Sequence, residues 1–159
     1  PLIDKASQFL EQASSDVRKI SHNMMPGLLT KLGLYEALED LFEKLSDTEG
    51  INALCKIQGA KERLPENTEI MIYRIVQEMI NNTLKHAEAS TIEMQLKVLP
   101  GKLDILYKDD GKGFDYQEGI EQKSIGLQSI WSRVKFLDGT ISMESSPGKG
   151  TRYSIQVPV

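Results

Sequence analysis

Three polar side chains of complementary chemistry, Glu78, Asn82 and Lys85, lie within Tyr73-Arg74-Ile75-Val76-Gln77-Glu78-Met79-Ile80-Asn81-Asn82-Thr83-Leu84-Lys85-His86-Ala87. Steps of four and then three residues put them on one edge of a helix. A carboxylate that can accept a proton, an amide oxygen that can hold a hard cation and an ammonium that can meet phosphate then form a row. Taken alone, the spacing fits equally well a solvated helix edge with polar pairs one turn apart. A second group, Asp109-Asp110-Gly111-Lys112-Gly113-Phe114, sets an acceptor-only carboxylate beside two glycines that let the backbone turn and approach a ligand. One carboxylate oxygen accepting from an exocyclic amine would select adenine over guanine, whose corresponding position is itself an acceptor. A plain aspartate-glycine turn is the other reading. In Ser124-Ile125-Gly126-Leu127-Gln128 a loop feeds a helix, whose first N–H groups and partial positive charge suit a di- or triphosphate. Gly148-Lys149-Gly150-Thr151 reads by itself as a hairpin turn.

These groups need elements to hold them. Ile72, Ile75, Val76, Met79, Ile80, Leu84 and Ala87 form a broad apolar face, so the central stretch is an amphipathic helix, entered at Leu64-Pro65 and Asn67-Thr68-Glu69 and ending near Ala89. Residues 91–99 alternate through Ile92, Met94, Leu96 and Val98, turn at Pro100-Gly101-Lys102, and resume at Leu103, Ile105 and Tyr107, which predicts a hairpin. Helical spacing returns over 127–137, where Trp131 is expected in the core, and Gly139 closes it. Residues 140–145 and 152–157 make a second hairpin. Upstream, Ala6, Phe9, Ala13, Val17, Ile20 and Met24 trace the narrow seam of a long helix that packs along another helix, with Pro26-Gly27 interrupting it. A shorter helix runs from Leu34 to about Ser46, Asp47-Thr48-Glu49-Gly50 turns, and 52–58 alternates as a strand. The fold class expected is α+β: a two-layer sandwich of helices on one face of a mixed, mainly antiparallel sheet, preceded by a long N-terminal helix.

With 159 residues the chain accommodates one well-buried core plus an appendage. A composition of 40% hydrophobic and 26% charged residues is that of an ordinary soluble protein, and a net charge of −4 disfavours nucleic acid and anionic membrane as partners. The single cysteine, Cys55, excludes an internal disulfide framework and a cysteine-rich zinc site, and is expected as a small core residue. No apolar run approaches the roughly twenty residues of a membrane span. A chain that opens at Pro1 already in helical periodicity reads as a piece of a longer protein.

In their order and spacing, Glu78-x-x-x-Asn82-x-x-Lys85-His86-Ala87, Asp109-x-Gly111-x-Gly113, Gly126-Leu127 and Gly148-x-Gly150-Thr151 resemble the GHKL ATP-binding domain. Arg63-Leu64-Pro65, Tyr73-Arg74-Ile75-Val76-Gln77-Glu78 and the short loop before Gly126 are similar to bacterial two-component sensor histidine kinases of the nitrate-sensor and thermosensor subgroup. The resemblance covers about residues 31–159.

That resemblance implies a division into residues 1–30, a helical dimerisation segment corresponding to the subgroup's second dimerisation helix, and residues 31–159, the catalytic domain. It implies ATP and magnesium as ligands, with Asn82 on the metal, Glu78 as the catalytic base or polarising residue, and Lys85 and His86 near the phosphates. Asp109 would read adenine with help from Thr151, while Gly111 and Gly113 form the first glycine box and Gly126 and Leu127 the second. The second box departs from the pattern, with Ser124 and Gln128 where many relatives carry further glycine. The implied activity is transfer of the γ-phosphoryl to a histidine on an upstream helix and onward to a response-regulator aspartate, in a cytoplasmic portion of a homodimer. His22 is not the expected acceptor, because the subgroup's acceptor is followed by an acidic residue and Asn23 stands here. Two other classes compete: a nucleotide-binding interaction module without phosphoryl transfer, and an ATPase of the chaperone or topoisomerase branch, against which the short loop argues. The sequence leaves Arg133 without a role.

Overall fold

A computed structural model of the chain describes residues 26–115 and 125–159. The long helix expected over residues 2–24, His22, and the loop from 116 to Ser124 lie outside the described residues.

Pro26 precedes a short helix, α1 (Gly27–Leu32), and Gly33, at φ +99°, turns the chain into α2 (Leu34–Glu49). The spacing of Leu34, Ala37, Leu38, Leu41, Phe42 and Leu45 gives α2 one buried stripe. It runs three residues past the expected end near Ser46, because Gly50 supplies the left-handed C-cap (φ 66°, ψ 21°) and takes over the turn. Strand β1 (Asn52–Gln58) follows, stapled to α2 through the Ser46 hydroxyl, which accepts from Ala53 N–H at 3.1 Å. Next come α3 (Glu66–His86), β2 (Thr91–Leu99), β3 (Lys102–Asp109), α4 (Ile125–Phe136), β4 (Thr140–Ser145) and β5 (Thr151–Pro158). Helix α3 stops at His86, three residues before the expected end near Ala89, where Glu88 adopts φ +53°.

The five strands lie in the order β1-β2-β3-β5-β4. β1 runs parallel to β2, as a connection through α3 allows, and every other pair is antiparallel. Helix α3 lies between α2 and α4, and all three cover one face of the sheet. The mixed, mainly antiparallel α+β sandwich is the one expected from the sequence.

The register fixes what reaches the helices. Cys55, Met94, Tyr107, Tyr153 and Met143 form one cross-strand row, and two residues further along Ala53, Ile92, Asp109, Thr151 and Ser145 form the next. Alternate residues share a face, so Asp109 and Thr151 point to the same side as the buried tyrosines. Tyr107 and Tyr153 meet edge to face with ring centroids 6.0 Å apart. Cys55 and Trp131 are half-buried at the core margin, short of the full burial that their apolar character suggests.

Where α1 joins α2, the Arg63 side chain lies across Gly33. Its guanidinium donates to both carboxylate oxygens of Glu69, at 3.0 and 2.9 Å, and Leu64 N–H adds a bond at 3.1 Å. Glu69 is 1% exposed, so an ionised carboxylate there depends on this fork.

Candidate functional site

Asp109 is the last residue of β3 and is 8% exposed. A carboxylate so placed needs donors, and the register supplies them. Its Oδ1 accepts from Gly111 N–H at 2.9 Å and from Thr151 N–H on β5 at 3.2 Å, and its Oδ2 accepts from the Thr83 hydroxyl on α3 at 3.1 Å. The Thr83 oxygen in turn lies 2.8 Å from the Tyr107 hydroxyl. Burial pushes the ionisation of both Tyr107 and Tyr153 upward, so these phenols are neutral donors at ordinary pH.

The loop after Asp109 is fastened from below. Asp110 Oδ1 accepts from Ser90 N–H and Thr91 N–H, both at 2.8 Å, and these backbone bonds hold its carboxyl below the usual aspartate range despite some desolvation. Lys112 N–H donates to Ala87 O at 2.7 Å at the end of α3, and Lys112 Nζ pairs with Glu88 at 2.9 Å. From the other side the β4–β5 turn closes down. Gly148 N–H donates to Lys112 O at 2.6 Å, and Gly150, at φ +70°, comes so close to the Asp109 carbonyl that no side chain fits between them. The Gly148-to-Thr151 turn is thus the second wall of the Asp109 loop. Ser145 ties both together, accepting from Phe114 N–H at 3.0 Å and donating to Gly150 O at 3.0 Å, with the Thr151 hydroxyl 3.1 Å away.

A cavity of about 410 Å³ opens above this floor. Asn82, Thr83, Lys85 and His86 line it from α3, Asp109 from the end of β3, Gly113 and Phe114 from the loop, Leu127 from α4, and Thr151 and Tyr153 from β5. Lys85 and His86 belong to the last turn of α3. Gly111 is buried beneath, against Ala87. Glu78 and Gly126 do not line the cavity; they meet each other one helical turn along α3. A Cβ on Gly126 would strike the Glu78 carboxylate and come within 2.9 Å of Asn82 Oδ1, so the first turn of α4 rests directly on the polar row of α3. Asn82 Nδ2 is buried without a hydrogen-bond partner among the described residues, although its amide is close enough to the Tyr153 hydroxyl to oppose the upward shift there. An amide can present either its oxygen or its nitrogen, so this end of Asn82 suits a polar ligand.

The candidates chosen from sequence therefore converge, seven around the cavity and Glu78, Gly111 and Gly126 adjoining it. Thr83, Tyr107, Asp110 and Ser145 support the site without being among those candidates. Thr83 is a polar residue on the apolar face of its helix, which is the one signal that marks it. Arg133 is tied to its own helix, donating to the carbonyl and hydroxyl of Ser129 one turn back.

Residues 67–159 match the model of the family described as histidine kinase-, DNA gyrase B- and HSP90-like ATPase. The chain belongs to this family. It is 34% identical over 152 residues to the signal transduction histidine-protein kinase/phosphatase DegS of Brevibacillus brevis, covering 96% of this chain and 39% of that protein. To the sensor histidine kinase ComP of Bacillus subtilis it is 34% identical over 158 residues, covering 97% and 20%. To the oxygen sensor histidine kinase NreB of Staphylococcus carnosus it is 27% identical over 161 residues, covering 99% and 46%. The chain spans less than half the length of each. Among solved structures, the histidine kinase domain from Erythrobacter litoralis EL346 blue-light activated histidine kinase superposes with a TM-score of 0.62 at 23% identity, over 79% of this chain and 64% of that one, and shares the fold. The expected kinship with the GHKL domain of sensor histidine kinases is borne out. No helix among the described residues is long and apolar enough to cross a membrane.

Proposed function

We propose that this chain is the ATP-binding catalytic part of a sensor histidine kinase, acting within a longer homodimeric protein. The observation that carries the reading is Asp109: three protein donors occupy its carboxylate from below while the residue borders the cavity shared with Asn82 and Lys85. An acceptor at that point takes the exocyclic amine of adenine. Thr151, its cross-strand neighbour, completes the base pocket.

Asn82 and Lys85 then face the phosphates, His86 flanks them, and Gly126 and Leu127 bring the N–H groups at the start of α4 to the same end. Among the described residues no group of three or more His, Cys, Asp or Glu is placed to hold a metal. A magnesium ion at Asn82 would therefore take its other ligands from phosphate and water, as that ion prefers, and would supply charge neutralisation. Glu78, beside Gly126, accepts the proton that an attacking imidazole gives up. The phosphorus–nitrogen bond forms as the bond from the γ-phosphorus to the ADP oxygen breaks, and the phosphoryl group then passes to an aspartate of a response regulator. Residues 1–30 serve as the dimerisation segment, and the whole portion works in the cytoplasm, where ATP is available.

The test is incubation of the longer protein containing this chain with γ-labelled ATP. Label that is stable to base and labile to acid, lost in Asn82→Ala and strongly reduced in Glu78→Gln, supports the reading. Tight ATP binding with no transfer of label supports the interaction module instead.

A further inference from the structure

The bonds to Asp109 differ in what they fix. Gly111 and Thr151 both donate to Oδ1 and so pin one point of the carboxylate. They leave its plane loose, because the last torsion of an aspartate side chain is broad and lacks sharp minima. The plane is set by the single bond to Oδ2, which comes from Thr83 on a different element, 26 residues away in sequence.

Thr83 has one proton and three neighbours: Asp109 Oδ2 at 3.1 Å, Met79 O at 3.2 Å and the Tyr107 hydroxyl at 2.8 Å. Tyr107 is fully buried, and Thr83 is its hydrogen-bond partner among the described residues. A buried phenol must place its proton on an acceptor, and the one within reach is the Thr83 oxygen. With that lone pair occupied, the Thr83 proton points away from Tyr107, to the carboxylate and the carbonyl. A proton chain Tyr107→Thr83→Asp109 results, and each donor in such a chain strengthens the next.

We infer that Thr83, oriented by Tyr107, is a specificity-determining positioning residue that aims the second carboxylate oxygen of Asp109 at the base and so sets the preference for a 6-amino over a 6-oxo purine. The inference rests on the proposed reading of Asp109 as the adenine contact. Thr83 borders the same cavity but is 3% exposed, and with its one proton given to Asp109 it acts through that carboxylate.

The experiment is calorimetric titration of the chain with ATP and with inosine triphosphate, which carries a carbonyl in place of the amine, accompanied by thermal melting. The readout is the ratio of the two affinities. Thr83→Val, which keeps the shape and removes the hydroxyl, is expected to lower the preference for ATP about tenfold, the size of one hydrogen bond to a charged group. Tyr107→Phe lowers it about threefold and Thr83→Ser leaves it within about twofold of the unaltered chain, following the weaker effect expected of a cooperative partner. A role in packing alone would lower the melting temperature of Thr83→Val and leave its ratio unchanged, which overturns the inference, as does a Thr83→Ser variant that loses as much preference as Thr83→Val. If Thr83→Val does not fold, Thr83→Ala carries the same expectation. An unaltered chain that binds neither nucleotide removes the reading of Asp109 and this inference with it. An unaltered chain that prefers ATP, beside variants with the same preference, overturns the inference alone.

Discussion

Asp109 and Thr151 are paired across β3 and β5, and the Thr151 N–H reaches back to the Asp109 carboxylate at 3.2 Å. The residue assigned to read the base thus belongs to the sheet ladder, whose positions are set by the core. Sites held on strands keep their geometry better than sites on loops, because each side chain's placement is shared by many backbone bonds. The parts assigned to phosphate lie on α3 and on the first turn of α4, so two rigid elements and one short contact define the remainder.

That contact makes Gly126 sensitive in an unusual way. The nearest atoms to a Cβ there are the ends of the Glu78 and Asn82 side chains, which can swing aside. Gly126→Ala is expected to melt within a few degrees of the unaltered chain while its affinity for magnesium-ATP falls about tenfold or more, since misplacement near 1 Å is costly for bound reactants. Gly150→Ala behaves oppositely: the backbone is left-handed there and the obstacle is the Asp109 carbonyl, so the fold itself loses more than about 2 kcal/mol. Parallel melting and binding curves separate the two.

Asp110 is a fastener for the loop. Asp110→Ala frees Ser90 N–H and Thr91 N–H, and a loss of about 1 kcal/mol is expected after allowance for the exposure of the group, with ATP affinity reduced several-fold. Asp110→Asn keeps an acceptor oxygen and should retain most of both. The pKa of Asp110 is lowered on folding, first by the Thr91 backbone bond, so its contribution is present above the ordinary value of 3.8 and is lost as pH falls below it. Acid melting curves of the unaltered chain and Asp110→Asn should accordingly converge below that pH.

Cys55 titrates at the opposite end of the scale. Burial first, and then Glu39, push its thiol from 9.0 up to about 12, against the smaller opposing effect of Lys61. Folding therefore favours the neutral thiol, and this contribution to stability is complete below about pH 9 and disappears as pH rises toward 12. At pH 8 the folded chain should react with iodoacetamide far more slowly than the urea-unfolded chain. Equal rates would show that the thiol is not shielded.

Arg63 and Glu69 should prove strongly coupled. Arg63→Met leaves a carboxylate that is 1% exposed with, among the described residues, the Leu64 N–H as its remaining donor, and the melting temperature should drop. Adding Glu69→Gln to that variant should restore part of the loss, although Glu69→Gln alone is destabilising. Additive effects in this double-mutant cycle would mean that the fork over Gly33 does not tie the α1–α2 junction to α3.

Much of this was legible in the sequence, for identifiable reasons. Strict periodicity in 72–87, 91–107 and 140–157 leaves little freedom in assigning elements, whereas the spacing of Glu78, Asn82, Asp109 and the glycines fits a solvated helix edge and plain turns equally well until their order along the chain, which resembles the GHKL domain, joins them. Helix ends were less legible because single backbone angles decided them: Gly50 extends α2 and Glu88 curtails α3. Long-range pairing was hidden altogether. Asp109 meets Thr151 across 42 residues and Thr83 across 26, and no local pattern announces either. For the same reason Ser145 looks like any strand residue until Phe114, Gly150 and Thr151 gather around it.

The central claim, that the cavity between α3 and the glycine loops binds magnesium-ATP through Asp109 and Asn82, is tested most directly by calorimetric titration of three chains: unaltered, Asp109→Asn and Asn82→Ala. Expected are magnesium-dependent ATP binding by the unaltered chain, loss of the preference for adenine in Asp109→Asn, and loss of the magnesium dependence in Asn82→Ala. A folded, unaltered chain that does not bind ATP, or variants whose binding matches it in both respects, would contradict the account.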